Sequence, residues 1–166
     1  MAGLPIQPYL GSTVHEVANF LVAKIRRALS AAVQLNPKGK GLKVDLKPKY
    51  DFQNLFFLTV KPWLPGLARE ELTIRYDGQD KVADFNLFSN QIVLELKHVR
   101  DLNTKAAVVK TLDGLRNFYV AHPNIRVLIM AVLVAKEIVF DDSKWESDFS
   151  FMQRDPQVWT RIFREQ

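Results

Sequence analysis

Asp84, Glu95 and Lys97 are the residues of this chain whose types and spacing point to chemistry. Glu95 and Lys97 lie two apart in a run where Ile92, Leu94 and Leu96 alternate, as on the buried face of a strand. The acid and the amine then share the opposite face. Lys81 to Leu87 reads as a second strand, and a hairpin loop centred on Ser89-Asn90 sets Asp84 directly across from Glu95. Opposed residues of an antiparallel pair bring their Cβ atoms to about 4.5–5.5 Å. Two carboxylates that close repel unless a cation offsets them or one is protonated. A hard divalent cation, Mg²⁺ or Mn²⁺, takes oxygen ligands and is commonly held by one or two carboxylates plus substrate phosphate. The expected ligands are Asp84, Glu95 and the backbone carbonyl of Leu96. Such a metal polarises a phosphoryl oxygen and acidifies a bound water. Lys97 is suited to orient or deprotonate that water, or to offset charge developing on the phosphoryl group. The reaction class is phosphodiester hydrolysis. A Glu-x-Lys alone on a strand is more often a solvated face with a weak ion pair. The opposed Asp84 shifts that balance. Lys97 is expected to matter for turnover and not for folding.

The elements that must position these residues follow from periodicity and punctuation. Val14, Val17, Phe20, Leu21, Ile25 and Leu29 recur at helical steps, predicting an amphipathic helix from Ser12 to Gln34. Thr13 and Glu16 have capping-box spacing, and Asn36-Pro37 ends the helix. Asp51 to Val60 is too short for periodicity alone to assign. Leu72 to Tyr76 alternates as a strand, and Asp77-Gly78 is a turn signal. After the hairpin, Thr104 to Ala121 predicts a helix and Arg126 to Val134 an apolar strand buried on both faces. Strand, helix and strand in that order make a right-handed crossover, so the second strand is expected parallel to the first. Asp141 to Asp148 reads as a polar linker and Gln157 to Phe163 as an edge strand.

Bulk properties narrow the class. The 166 residues are 48% hydrophobic and 25% charged, in keeping with one globular domain. Domain 1–166 divides into an N-terminal helix and basic loop (1–49), a core (50–134) and a C-terminal extension (135–166). No apolar run reaches the roughly 18 residues of a membrane span, and the N-terminus lacks a secretory pattern. Cysteine is absent, which rules out disulfides and thiolate metal sites. A cytoplasmic location is the expectation. The net charge of +5 leans toward polyanions. Within the lysine-rich loop up to Lys49, Lys38, Lys40 and Lys43 are candidate phosphate contacts, as is Lys105 on the later helix. A solvated surface is the equal-weight alternative for each. His15, His98 and His122 show no zinc-ligand spacing; His98 should point away from Glu95 and Lys97, and His122 reads as a turn residue.

The ordered motifs resemble a known group. Ala83-Asp84-Phe85-Asn86-Leu87, then Ile92 to Asp101, is similar to the PD-(D/E)XK nuclease superfamily, and most of all to the restriction-endonuclease-like domain grouped with the DpnII and MboI enzymes. The pattern continues in Asp113 to Pro123. Upstream, Tyr50-Asp51-Phe52-Gln53-Asn54-Leu55 is similar to the family's acid-x-Gln segment on a helix, which favours helix for Asp51 to Val60. The resemblance implies an α/β restriction-endonuclease-like fold, a central mixed sheet flanked by helices. It places Asp84, Glu95 and Lys97 on catalytic positions and makes Asp51 and Gln53 accessory candidates. Ala83 stands for the usual proline, and Lys49 stands where the accessory segment would hold an acidic residue. The implied activity is a metal-dependent endonuclease acting on DNA, with RNA left open, in a restriction or anti-phage defence module. A homodimer, or a place in a larger multidomain protein or defence complex, fits that setting. The alternative is a catalytically inactive copy of the fold that binds nucleic acid or a protein partner.

Overall fold

The computed structural model describes residues 11–32, 34, 38, 46, 49–76 and 78–165. Its centre is a five-stranded mixed sheet with strand order β1-β4-β5-β6-β7, built from β1 (Ala68–Arg69), β4 (Phe85–Leu87), β5 (Ile92–Val99), β6 (Val127–Val134) and β7 (Gln157–Arg164). β1, β4 and β5 pair antiparallel, while β5, β6 and β7 run parallel. The crossover helix α3 (Leu102–Val120) joins β5 to β6, as the apolar run after Arg126 predicts. The sheet with its helices is the α/β, restriction-endonuclease-like architecture expected from the sequence.

Side-chain alternation builds two cores. Every residue of β6 is buried; Val127, Ile129, Ala131 and Leu133 join one cluster, and Leu128, Met130, Val132 and Val134 join the other. The first cluster includes Leu21 and Ile25 of α1 (Val14–Ala32) and Phe52 and Phe56 of α2 (Lys49–Val60). The second includes Val108, Leu112 and Leu115 of α3 and Trp145 of α4 (Asp142–Asp148). The α1 start has the expected capping box: Thr13 Oγ1 accepts from the Glu16 amide at 3.2 Å, and Glu16 accepts from the Thr13 amide at 3.3 Å. Among the described residues no helix is long and apolar enough to cross a membrane.

Two expectations need correction. The run Lys81 to Leu87 is two strands, not one. β3 (Gln79–Val82) pairs with β2 (Thr73–Tyr76) in a separate two-stranded sheet, and β4 pairs with β5. The chain changes partners at Ala83-Asp84: the Ala83 amide still donates to Leu72 O at 2.9 Å, whereas Asp84 O accepts from the Glu70 amide at 3.2 Å. Nor is Asp141 to Asp148 a linker. Asp141 accepts from the Lys144 amide at 3.0 Å and caps α4, and Trp145 stacks on Phe140 with ring centroids 4.4 Å apart. One buried aromatic anchors a helix too short to show a periodic stripe.

Candidate active site

The hairpin register is the one the loop position predicts. Leu87 faces Ile92, Asn86 faces Val93 and Phe85 faces Leu94, so Asp84 stands one residue before the ladder begins, level with Glu95. The loop turns through Phe88, Ser89 and Asn90, all with positive φ, and Asn86 Nδ2 donates to Asn90 Oδ1 at 2.7 Å. Because Asp84 sits in the bend, its side chain takes over where the backbone ladder stops. Asp84 Oδ2 accepts from the Leu96 amide at 2.7 Å. A residue's N–H and C=O point to the same side of a strand. The Leu96 carbonyl therefore also faces the side where β4 has ended.

On β5, Ile92, Leu94 and Leu96 enter the α1/α2 core, while Val93 and Val99 enter the α3 core. Glu95 and Lys97 fall on the α3 face by alternation. Glu95 is 0% exposed and Lys97 only 8%. Lys97 Nζ lies 2.5 Å from Glu95 Oε2 and 3.9 Å from Asp84 Oδ2. The second Glu95 oxygen, Oε1, accepts from the Tyr119 hydroxyl. Burial first, and then the Glu95 charge, push the Tyr119 pKa upward, so the hydroxyl stays a donor. Sequence reasoning assigned Tyr119 no role. The signal was available: Val108, Leu112, Leu115 and Tyr119 form one stripe at helical spacing, the stripe that packs on β5.

α2 supplies the partners of the other acid. Asp84 Oδ1 accepts from Gln53 Nε2 at 2.8 Å and from Lys49 Nζ at 2.7 Å. Lys49 and Gln53 are four apart on the helix and share a face. That register turns Asp51, two residues from each, off this face. Among the described residues no hydrogen bond or ion pair joins Asp51 to Asp84, Glu95 or Lys97. Of this pair, Gln53 touches Asp84 and Asp51 does not. Lys49, which ends the basic loop and stands at the accessory segment by sequence, reaches Asp84.

Lys105 and His98 lie away from this cluster. Lys105 Nζ sits over the Phe140 ring at 5.0 Å, and its position on α3 is about 21 Å along the helix axis from Tyr119. Lys38 is exposed in a turn, and Lys40 and Lys43 lie outside the described residues. His98 points to the opposite face, as expected, with Nε2 2.6 Å from Glu165 Oε1. His122 caps its own turn, its Nδ1 accepting from the Asn124 amide at 3.3 Å.

The charges at the centre balance internally: Asp84 and Glu95 are met by Lys49 and Lys97. The repulsion that called for a metal is thus already offset by two ammonium groups. Among the described residues no cluster of three or more His, Cys, Asp or Glu forms a metal cage. The donor set nonetheless fits a hard cation of the Mg²⁺ kind, which binds through one or two carboxylates and keeps its other positions for water and phosphate. Gln53 Oε1 is buried beside Asp84 with no hydrogen-bond partner, a spare oxygen suited to a cation's water.

A family model described as REase_DpnII-MboI matches residues 20–165. No curated protein and no solved structure matches the chain.

Proposed function

The chain belongs to the DpnII-MboI restriction endonuclease family, and from that premise we propose that it hydrolyses phosphodiester bonds of DNA with Asp84, Glu95 and Lys97 as its catalytic set. The observation that carries the reading is the approach of one ammonium to two carboxylates: Lys97 Nζ is 2.5 Å from Glu95 and 3.9 Å from Asp84. Asp84, Glu95 and the Leu96 carbonyl are the groups that would hold one Mg²⁺ or Mn²⁺. When bound, that ion supplies a Lewis acid for a phosphoryl oxygen and a more acidic water. The chain's own residues do the rest. Tyr119 fixes the Glu95 carboxylate, and Gln53 and the Leu96 amide fix Asp84. Lys97 orients the attacking water or offsets the charge that builds on the phosphoryl oxygens. Water gives up a proton as its oxygen bonds to phosphorus, the ester P–O bond breaks, and the leaving oxygen takes a proton. Lys38, Lys40, Lys43 and Lys105 contribute to nucleic-acid affinity through phosphate contacts rather than to the chemistry. A role in restriction or anti-phage defence, in the cytoplasm, accords with the family.

The test is plasmid incubation with Mg²⁺ or Mn²⁺, with and without EDTA. Wild type should cleave and EDTA should stop it. Lys97→Met should lose roughly a hundred- to a thousand-fold in rate, the usual cost of a preorganised electrostatic group. Circular dichroism at the assay temperature checks that the variant is folded. Equal cleavage by the variant would refute the role given to Lys97. One observation favours a second reading, a silent domain that binds nucleic acid or a protein partner: Lys49 stands where the family segment holds an acid and fills Asp84 Oδ1. Retention of DNA without cleavage by wild type, under either metal, would support that reading instead.

A further inference from the structure

Asp84 has four polar neighbours, and they differ in how freely they can leave. The Leu96 amide is fixed by the strand. Gln53 is buried to 1% exposure in the middle of α2. Lys97 is pinned at 2.5 Å to the fully buried Glu95. Lys49 is the most open of them, with 34% of its side chain exposed against 10% for Lys97 and 8% for Asp84. It stands at the first residue of α2. Its ammonium occupies Asp84 Oδ1 at 2.7 Å, so a cation seeking that oxygen meets a charge already in place.

We propose that Lys49 is an internal counter-ion that competes with the divalent cation for Asp84, so that metal binds only as this ammonium leaves. The inference rests on the metal site described under Proposed function. It assigns Lys49 a regulatory part in that site: in the metal-free protein the carboxylate is neutralised from within, and the affinity for cation is set below what the oxygens alone would give. Loss of Lys49 from Asp84 removes one ion pair and admits another, so the net charge at the centre rises by only one when a divalent ion enters. The displaced ammonium, at the solvent edge, is then free to meet a phosphate.

Calorimetric titration with Mn²⁺ tests this on four proteins: wild type, Lys49→Met, Lys49→Arg and Asp84→Asn/Lys49→Met. Removing the competitor should tighten Mn²⁺ by about fivefold, the upper range for an ion pair of this exposure. Lys49→Arg should bind like wild type, and the double variant should bind nothing at Asp84. A second readout separates direct competition from a general loss of positive charge. The Lys49 side-chain ¹³Cε resonance, assigned by its disappearance in Lys49→Met, should shift when wild type is saturated with diamagnetic Mg²⁺. Equal affinity in wild type and Lys49→Met, or a Lys49 resonance that does not move, would overturn the competition while leaving the metal site intact. No binding by any of the four proteins would overturn the metal site itself, and the competition with it.

Discussion

Glu95 and Asp84 stand level on neighbouring segments, yet the protein holds them differently. Glu95 has no exposed surface; one oxygen is taken by Tyr119 from α3 and the other by Lys97 from its own strand. Asp84 sits in a bend and takes its partners from α2 and from the β5 backbone, and one of them, Lys49, lies at the solvent edge. The sealed acid is a fixture, and its partners would cost much to remove. Asp84, itself buried, has one partner at the solvent edge, which suits the side of a site where ions and substrate must come and go.

The largest expected contrast is in stability. Lys97→Ala leaves the buried Glu95 charge without its counter-ion and should cost about 3–5 kcal/mol. Lys49→Ala breaks a pair one-third open to solvent and should cost about 1 kcal/mol or less. Denaturant midpoints for the two variants would measure this directly, and equal losses would erase the distinction between the acids. This replaces the expectation that Lys97 matters for turnover alone, which assumed an exposed polar face; at 8% exposure Lys97 is part of the interior.

Tyr119→Phe sharpens the comparison on the sealed side. Removing a hydrogen bond to a charged group should cost about 1.5–3 kcal/mol. The pH dependence has a definite sign. Burial raises the Tyr119 pKa above that of an unfolded tyrosine, near 10. Its contribution is therefore complete below about pH 10 and is lost as pH rises further, because only the unfolded chain then releases the proton. Alkaline melts of Tyr119→Phe should fall less steeply above that pH than those of wild type.

The smallest contrast lies within α2. Gln53→Ala removes a buried donor from Asp84 and should cost about 1–3 kcal/mol. Asp51→Ala, turned off the site, should stay within about 0.5 kcal/mol. Reversed magnitudes would mean that α2 presents a different face to Asp84.

What the sequence made legible was periodic or register-bound. β6 announced itself by an apolar run buried on both faces, and the Ser89-Asn90 loop fixed the pairing of β4 with β5 to the residue. The break at Ala83-Asp84 was not legible, because it depends on a change of partner from β2 to β5, a long-range event with no local signature. Lys49 was hidden for a related reason. In sequence it ends a basic stretch and stands where the resembled segment would hold an acid; only the helix start and the reach across to Asp84 show what it pairs with. Tyr119 ends a buried helical stripe, and periodicity identifies such a residue as packing without saying that its hydroxyl has a carboxylate to meet.

The Leu96 amide donates to Asp84 Oδ2, where the next rung of the ladder would otherwise supply a carbonyl. A backbone proton thus rides on a side chain whose charge and orientation belong to the site. Its resonance frequency and its exchange with deuterium become a gauge built into the sheet, responding whenever that carboxylate is protonated, ligated or rotated. An isotope-labelled wild-type sample would report on the site without a single substitution in it.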